Sequence, residues 1–432
     1  MSSSSGHPAL ARRLGTLDAT VIGVGSMVGA GVFVAFAPAA GHAGSWLPAA
    51  LLVAAVVAWC NATSTAQLAA RYPASGGSYL YAGQRLGHWP AFVAGWGFVT
   101  GKTASAAAMA LAFGLYAGQL AGTGDVVARL LAVAAVLGLT AVNLGGVTRT
   151  ARMTRLLLLP VLAVLVGVTA LLYTSPAAAP PASPLPDGSA WGVLPAAGIL
   201  FFAFAGYARV ATLGEEVRDP ARTIPRAVLG ALAVTLVLYG ALGLGLLRLL
   251  GPDRLAAAPA PLLTAVRSAV ESAGWAAGPA AAAGAVVTAA AALATLGALL
   301  ALVAGISRTA LAMARNRDLP AGLAAVSERH RVPWAAELAV AGLVVVLVLA
   351  GDVRTVIGFS SFGVLVYYAL ANLSALTMTE RPGWAPRAVN VVGLTGCLVL
   401  AATLPVVSVL TMLGVFAAGL AGRALVLALR RR

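Results

Sequence analysis

Charged side chains are scarce in this sequence. They make up 9% of its 432 residues, and only 13 residues are acidic, whereas a soluble domain carries about 25% charged residues. Apolar residues reach 60%, and the mean hydropathy is +0.93. A chain this apolar excludes a cytosolic enzyme and a disordered protein. At about 20 apolar residues per membrane crossing, it predicts an all-α, polytopic membrane protein.

Cysteine and histidine are also rare, and their positions exclude several kinds of site. Cys60 and Cys397 lie inside separate apolar runs, which favours small buried residues over a disulfide scaffold. The four histidines form no pair at metal-ligand spacing. No Ser/His/Asp or His/Glu arrangement indicates catalysis. We therefore expect no metal, no cofactor and no enzyme activity.

Apolar runs of membrane-spanning length recur along the whole chain. We predict twelve transmembrane helices from them. The first ten cover about residues 18–40, 46–70, 90–120, 126–144, 156–173, 191–213, 227–250, 274–314, 333–350 and 353–378. Two closely spaced helices follow, with a break near Pro405.

The distribution of positive charge predicts how these helices are oriented. With the N-terminus inside, 21 arginines fall in inner segments and five in outer segments, as the positive-inside rule requires. Both termini are then cytoplasmic, and the net charge of +15 is a topology signal, not a sign of nucleic-acid binding. The predicted organisation is a cytoplasmic tail (1–16), helices 1–5 (17–174), an external loop (175–190), helices 6–10 (191–380), and helices 11–12 with a cytoplasmic tail (381–432).

Two of the predicted helices contain features that disfavour continuous helix. Helix 1 has four glycines between Gly23 and Gly31, and helix 6 has the run Phe201–Tyr207. Glycine lets the backbone leave helical geometry and approach a ligand. Discontinuous helices in corresponding places of two halves indicate a substrate site at the membrane midplane. The alternative for helix 1 is close helix packing through its GxxxG pattern, Gly25 and Gly29.

Four segments resemble motifs of the amino acid–polyamine–organocation superfamily of permeases. They are Gly25–Phe33 in helix 1, Ala70–Tyr81 after helix 2, Gly206–Pro225 around the end of helix 6, and Ser307–Pro320 at the end of helix 8. The motifs occur in order and cover about residues 17–335. The resemblance implies a five-plus-five inverted repeat, helices 1–5 and 6–10, followed by two extra helices in the cell membrane.

The resemblance also implies an amino acid transporter that works by alternating access. In the family, the helix 1 break binds the substrate carboxylate through backbone N–H groups, and the helix 6 break binds the amino group through carbonyls. Aromatic residues of helix 6 close over the substrate, which makes Phe202 and Phe204 gate candidates, although both also fit ordinary packing. The corresponding substrate-binding residues here are Ser26, Met27, Val28, Gly29, Ala30 and Gly31 in helix 1, and Phe202, Ala203, Phe204, Ala205 and Gly206 in helix 6.

One lysine lies in the middle of a predicted span. Lys102 is the only lysine in the chain and sits within helix 3; a charge at the bilayer centre costs about 2.5–3.5 kcal/mol or more and marks a functional candidate. Some family members place a buried lysine in helix 5, where this chain has Val161. We expect Lys102 to be the proton-coupling group or to sense the substrate. The alternative is a structural lysine that donates to carbonyls exposed by a broken helix.

Arg209 and two glutamates lie just beyond the helix 6 break. Arg209 faces an inner vestibule or extends toward the cytoplasmic surface. We predict that Glu215 and Glu216 are loop partners of Arg218 and Arg222. No carboxylate is expected in the middle of any predicted span.

These charges bear on the substrate and on the coupling ion. A positive centre without a carboxylate repels a cationic substrate, so we expect a neutral or acidic amino acid. Sodium coupling is disfavoured because helix 8 supplies only Thr288 and Thr295 as mid-span hydroxyls. Proton symport and exchange remain open. The alternatives are an amino acid exchanger without proton coupling and, less favoured, a channel.

Overall fold

The computed structural model describes residues 12–176, 190–350, 353–381 and 385–429. Helices form nearly all regular structure in these residues, and an isolated β-bridge joins Leu14 to Val217. The α-helices are α1 Thr16–Met27, α2 Ala30–Val34, α3 Phe36–Ala43, α4 Leu47–Arg71, α5 Ser78–Arg85, α6 His88–Ala121, α7 Asp125–Leu144, α8 Val147–Thr174, α9 Val193–Phe204, α10 Ala208–Ala211, α11 Pro220–Ala257, α12 Pro261–Ser272, α13 Ala277–Arg315, α14 Trp334–Ala350, α15 Val353–Leu376, α16 Arg387–Ala402 and α17 Val406–Leu429.

Ten helical segments of the described chain are long and apolar enough to cross a membrane. The helices α14 and α16 are apolar but shorter. The all-helical, polytopic fold class is thus confirmed, while the count of twelve crossings and the inverted repeat stay predictions. Most of the predicted N-terminal tail (1–16) and of the external loop (175–190) lies outside the described residues.

Several helix boundaries differ from the predicted ones for identifiable reasons. The α8 helix begins at Val147, not near residue 156, because its buried face there includes Thr150 and Thr154, which an apolar-run criterion does not count. The short helices α5 and α12 were not predicted. In α12 the buried residues recur at three- and four-residue spacing, the pattern of an amphipathic helix, but the helix is too short to span a bilayer.

The helices divide into an inner group and an outer group. In the most apolar 18-residue stretch of each segment, 78% of the residues are buried in α9–α10 and in α13, and 71% are buried in α1–α2. Only 17% are buried in the corresponding stretch of α17. The α6 helix packs against both α13 and α15, and α1 packs against α11. The two helices predicted to be broken therefore lie in the protein interior, where freed backbone groups can be satisfied by protein atoms.

Small residues allow inner and outer helices to pack closely. The contact between α6 and α7 allows a test of this close packing. A Cβ at Gly114 would overlap the carbonyl oxygen of Ala128. We expect Gly114→Ala to lower the free energy of unfolding by about 1–3 kcal/mol, as overpacking does. Gly138→Ala in α7 is the matched control, because nothing lies within 4 Å of its Cβ position. Thermal unfolding in detergent micelles measures both, and equal stability of the two variants would contradict the helix spacing described here.

Candidate functional site

The first break separates α1 from α2 at Val28 and Gly29. Val28 leaves helical geometry (φ −74°, ψ 79°), and Gly29 is extended (φ −135°, ψ −149°). Because the first N–H groups of a helix have no intrahelical acceptor, the start of α2 presents free backbone donors at the break. The predicted discontinuity of helix 1 is present, and it lies at Val28 and Gly29, within the predicted Gly23–Gly31 run. Of Ala30, only the backbone position is described.

Glycines hold this break against neighbouring helices. A Cβ at Gly29 would overlap the Cβ of Ala298 in α13, and a Cβ at Gly31 would lie 2.7 Å from the Cα of Ala203 in α9. A Cβ at Gly25 would lie 2.6 Å from the Thr154 side chain. Both interpretations of the glycine run therefore apply. These glycines allow close helix packing, and they also border a broken helix.

The second break is narrower than the sequence indicates. The α9 helix continues through Phe204, a 3-10 turn covers Ala205–Tyr207, and α10 is only four residues long. Phe202, Ala203 and Phe204 therefore remain helical, which corrects the expectation of a break over 201–207. Backbone dihedrals stay right-handed through the turn, so the chain tightens here without unwinding. The carbonyls of this turn that accept from side chains are those of Ala205 and Gly206.

The two breaks contact each other directly. The hydroxyl of Ser26 donates to the carbonyl of Gly206 at 2.8 Å, and a Cβ at Gly206 would overlap the Ser26 carbonyl oxygen. Only glycine permits this approach of one backbone to the other. The structure thus brings the end of α1, with Ser26 and Met27, against Ala205 and Gly206, as a shared site requires.

Two tyrosines that the sequence reasoning missed donate to carbonyls of the breaks. Tyr239 in α11 donates to Met27 at 2.7 Å, and Tyr368 in α15 donates to Ala205 at 3.1 Å. The sequence carries a signal for such contacts, because a tyrosine in an apolar run needs a hydrogen-bond partner for its hydroxyl when it is buried. The Phe204 ring lies 5.2 Å from the Tyr239 ring, which places this gate candidate beside the first break. Phe202 is 7% exposed and makes no ring contact among the described aromatic pairs.

Lys102 lies at the second break. Its ammonium donates to the Ala205 carbonyl at 3.2 Å, and the residue is 3% exposed. Among the described residues no carboxylate lies within ion-pair distance of it. The geometry matches a lysine that donates to a carbonyl of a broken helix, and it places a lone cation at the predicted amino-group site.

The breaks are closed to both sides in this conformation. Val28 and Ala205 are each 1% exposed, so a ligand reaches them only if helices move. A narrow gap, too small to admit a water molecule, borders the first break on its α8 and α13 side. Its walls carry no polar side chain and consist of Gly25, Val28, Leu157, Leu158, Val161, Leu293, Ala294 and Gly297. Thr288 and Thr295 bond back to their own helix, at 2.9 and 2.8 Å.

A buried cluster of four charges lies next to the second break. Arg308 binds both oxygens of Glu216 at 2.5 and 2.6 Å and one oxygen of Glu337 at 3.3 Å. Arg209 stands 4.0 Å from Glu216 and donates to Thr212 at 2.8 Å. All four side chains are at most 2% exposed. The two arginines and two glutamates of the cluster have a formal net charge of zero. Among the described residues, Lys102 is then a charge near the breaks that no carboxylate compensates.

The structure corrects two expectations here. Arg209 does not extend to the surface but is buried and paired. Glu216 pairs with Arg308, and Glu215 pairs with Arg315 at 3.1 Å, rather than with the predicted partners Arg218 and Arg222. Glu337 is a fully buried carboxylate in the first turn of α14, near the start of a predicted span and not in its middle. The sequence favours partners for Glu215 and Glu216 that are near them in the chain, whereas the fold brings α13 and α14 to the loop after α10.

The motif segments meet on one side of the breaks. The backbone N–H of Ser78 donates to the Tyr367 hydroxyl at 2.9 Å, and Tyr79 donates to Asp318 at 2.8 Å. Burial first, and then the bond to Asp318, raise the pKa of Tyr79 above its ordinary range. Backbone N–H groups of Arg13 and Leu14 donate to the Glu216 carbonyl. The start of the described chain is thus bonded to the loop after α10, and the segment after α4 is bonded to α15 and to the loop after α13.

Comparison with known proteins adds family information to this geometry. The family model described as "Amino acid permease" matches residues 14–422. The chain is 54% identical over 413 residues to an uncharacterized transporter of Mycobacterium tuberculosis (strain ATCC 25618 / H37Rv), covering 95% of this chain and 90% of the relative. It is 25% identical to the branched-chain amino acid permease BcaP of Bacillus subtilis (90% and 85% covered). It is 28% identical to the vacuolar cationic amino acid transporter 4 of Arabidopsis thaliana (88% and 65% covered).

The contact between the breaks can be tested at Gly206. We expect Gly206→Ala to lower the free energy of unfolding by about 1–3 kcal/mol and to weaken ligand binding, because the added methyl pushes the turn away from Ser26. Gly240→Ala in α11 is the control, with nothing within 4 Å of its Cβ position. Thermal unfolding with and without amino acids measures both effects. A Gly206→Ala protein as stable and as responsive as the control would contradict the contact.

The buried charge cluster makes a second prediction. Arg308→Gln leaves two buried carboxylates without their main partner, so we expect a loss of about 3–5 kcal/mol in stability. Arg222→Gln is the control, because its pair with Asp219 is exposed and long, at 3.9 Å, and such pairs contribute little. Thermal unfolding and the yield of monodisperse protein are the measurements. Equal behaviour of the two variants would show that the cluster does not stabilise this region.

Proposed function

Since this chain belongs to the amino acid permease family of the amino acid–polyamine–organocation superfamily, we propose that it is a secondary active transporter that moves an amino acid across the plasma membrane by alternating access. Its homologues are transporters and it is not an enzyme. The observation that carries the proposal is the contact between two interrupted helices, which present backbone donors at one break and carbonyls at the other.

The substrate site lies between these breaks in this proposal. The carboxylate binds the backbone around Ser26–Gly31, where the free N–H groups at the start of α2 attract an anion. The amino group binds carbonyls of the 202–206 segment, chiefly those of Ala205 and Gly206. Phe204, which packs on Tyr239, is the better supported gate residue, and Phe202 is the second candidate. No cofactor takes part.

The predicted topology supports alternating access. Twelve spans with both termini in the cytoplasm place the interrupted helices first in each group of five, at residues 17–174 and 191–380. Interrupted helices in such corresponding positions are the pattern of inverted-repeat transporters. The burial of both breaks supports an occluded conformation, from which rocking of one group of helices against the other opens either side.

A neutral or acidic amino acid is the substrate class we propose. The ammonium of Lys102 has no described carboxylate partner, so an added cationic side chain meets unscreened repulsion in a low-dielectric site. The relative named as a branched-chain amino acid permease agrees with a neutral substrate. The relative named as a cationic amino acid transporter makes arginine and lysine the substrates to test against it.

Proton coupling through Lys102 is the mechanism we propose for driving transport. A sodium site is not supported, because the gap at Val161 is lined by apolar residues and the hydroxyls of Thr288 and Thr295 donate to carbonyls of their own helix. An amino acid exchanger without proton coupling is the alternative, and a channel is less favoured, since no ring of charges or filter repeat is visible in the sequence.

Transport assays test the substrate class. In proteoliposomes, we expect saturable uptake of leucine or glutamate that is accelerated by the same amino acid trapped inside, with at least about tenfold lower flux of arginine and putrescine, a ratio that corresponds to about 1.4 kcal/mol. Acceleration by internal substrate distinguishes a carrier from a channel. Arginine or putrescine as the best substrate would overturn the proposed class, and non-saturable flux would favour a channel.

A further inference from the structure

The carbonyl oxygen of Ala205 already has two donors in the occluded structure. Lys102 donates to it at 3.2 Å, and Tyr368 donates to it at 3.1 Å. A carbonyl oxygen has two lone pairs. Both are therefore engaged before any ligand is present, at one of the two carbonyls that the proposed function gives to the substrate amino group.

Lys102 differs from Arg209 and Arg308 because no carboxylate of the described residues lies within ion-pair distance of it. The tyrosine Tyr368 shares the Ala205 carbonyl with Lys102. Its ring contacts the ring of Tyr367 in α15 and stacks on that of Tyr207 in the 3-10 turn, with ring centroids 5.0 Å apart in the stacked pair. The charges supplied by α10, the following loop, α13 and α14 are Arg209, Glu216, Arg308 and Glu337. These four compensate one another, so they leave the charge of Lys102 unbalanced.

We propose that the ammonium of Lys102 and the amino group of the substrate compete for the Ala205 carbonyl, so that one proton leaves the protein for each amino acid that binds. This inference rests on the proposed function. Two ammonium groups at one oxygen repel each other strongly in a site that excludes water. Loss of the proton converts Lys102 from an ammonium to a neutral amine, the N–H bond electrons stay on nitrogen, and the proton passes to solvent on the open side.

The neutral amine then assists binding. Its lone pair accepts a hydrogen bond from the substrate ammonium, while the substrate takes the place of Lys102 at Ala205. Reprotonation of Lys102 returns its ammonium to the carbonyl and expels the substrate. The transporter therefore exchanges amino acid for proton, and an inward proton gradient drives the amino acid out of the cell. This selects exchange over symport, the choice that the sequence left open.

Proton counting during binding tests this competition. A thermal-shift screen of the twenty standard amino acids on the purified full-length protein supplies the probe, and calorimetric titration in buffers of different ionisation enthalpy counts protons. For the wild type we expect release of about one proton per amino acid and an affinity that rises up to about tenfold per pH unit while Lys102 is charged. For Lys102→Met we expect no proton release and an affinity independent of pH.

Two further variants keep the test decisive if Lys102→Met does not fold. Lys102→Arg retains a charge that does not dissociate, so we expect at least about tenfold weaker binding at every pH. Tyr368→Phe removes the other donor to the same oxygen but no titrating cation, so proton release should persist even if the affinity changes. These two results together with the wild-type titration support the competition without the methionine variant.

The outcomes separate this inference from the proposed function. Amino acid binding with proton uptake, or with no proton exchange in the wild type, overturns the inference and leaves the transporter assignment standing. Wild-type-like affinity and proton release in Lys102→Met or Lys102→Arg also overturn it. Failure of every amino acid to bind the folded wild type overturns the proposed function and this inference with it.

Discussion

Backbone groups released by an interrupted helix need partners inside an apolar protein, and this requirement organises the centre of the molecule. An unsatisfied backbone group in such surroundings costs several kcal/mol. Here Tyr239 satisfies Met27, Ser26 satisfies Gly206, and Lys102 with Tyr368 satisfies Ala205. The partners come from α11, α1, α6 and α15. The breaks are therefore stabilised by these four helices. In the alternating-access cycle that we propose, the same helices move when the site opens, which links ligand binding to helix movement.

The charge distribution separates a structural role from a functional one. Arg308 holds Glu216 and Glu337 and so joins α13, α14 and the loop after α10, to which the start of the described chain is also bonded. Removal of any one member leaves a buried charge without compensation, which makes the cluster a strong tether. Lys102 has no such partner. A charge balanced by the substrate or by loss of a proton responds to ligand, whereas a compensated cluster does not.

The sequence predicts the helical membrane fold, the broken helix 1 and the exceptional lysine, and it locates an irregular segment in helix 6, although it places the break over too many residues. Glycine spacing, apolar run length and the scarcity of charge are local properties, so these features can be read from neighbouring residues. The partners of Ala205, of Met27 and of Glu216 could not be predicted in the same way. Lys102, Tyr239 and Arg308 each lie about ninety or more positions away in sequence, and only the packing of α6, α11 and α13 brings them to the breaks. A search for long apolar runs does not find α12, which is a short amphipathic helix, or the early start of α8, where the buried face includes threonines.

In the proposed transporter the two breaks together hold one amino acid, with Lys102 displaced from Ala205. A cryo-electron microscopy structure of the full-length protein with its bound amino acid tests this arrangement most directly. We expect the substrate carboxylate at hydrogen-bond distance, about 2.7–3.2 Å, from backbone nitrogens at the start of α2. We also expect the substrate nitrogen at the Ala205 oxygen, with the Lys102 nitrogen moved away. A bound amino acid elsewhere in the protein, with Lys102 still on the Ala205 carbonyl, would contradict this arrangement.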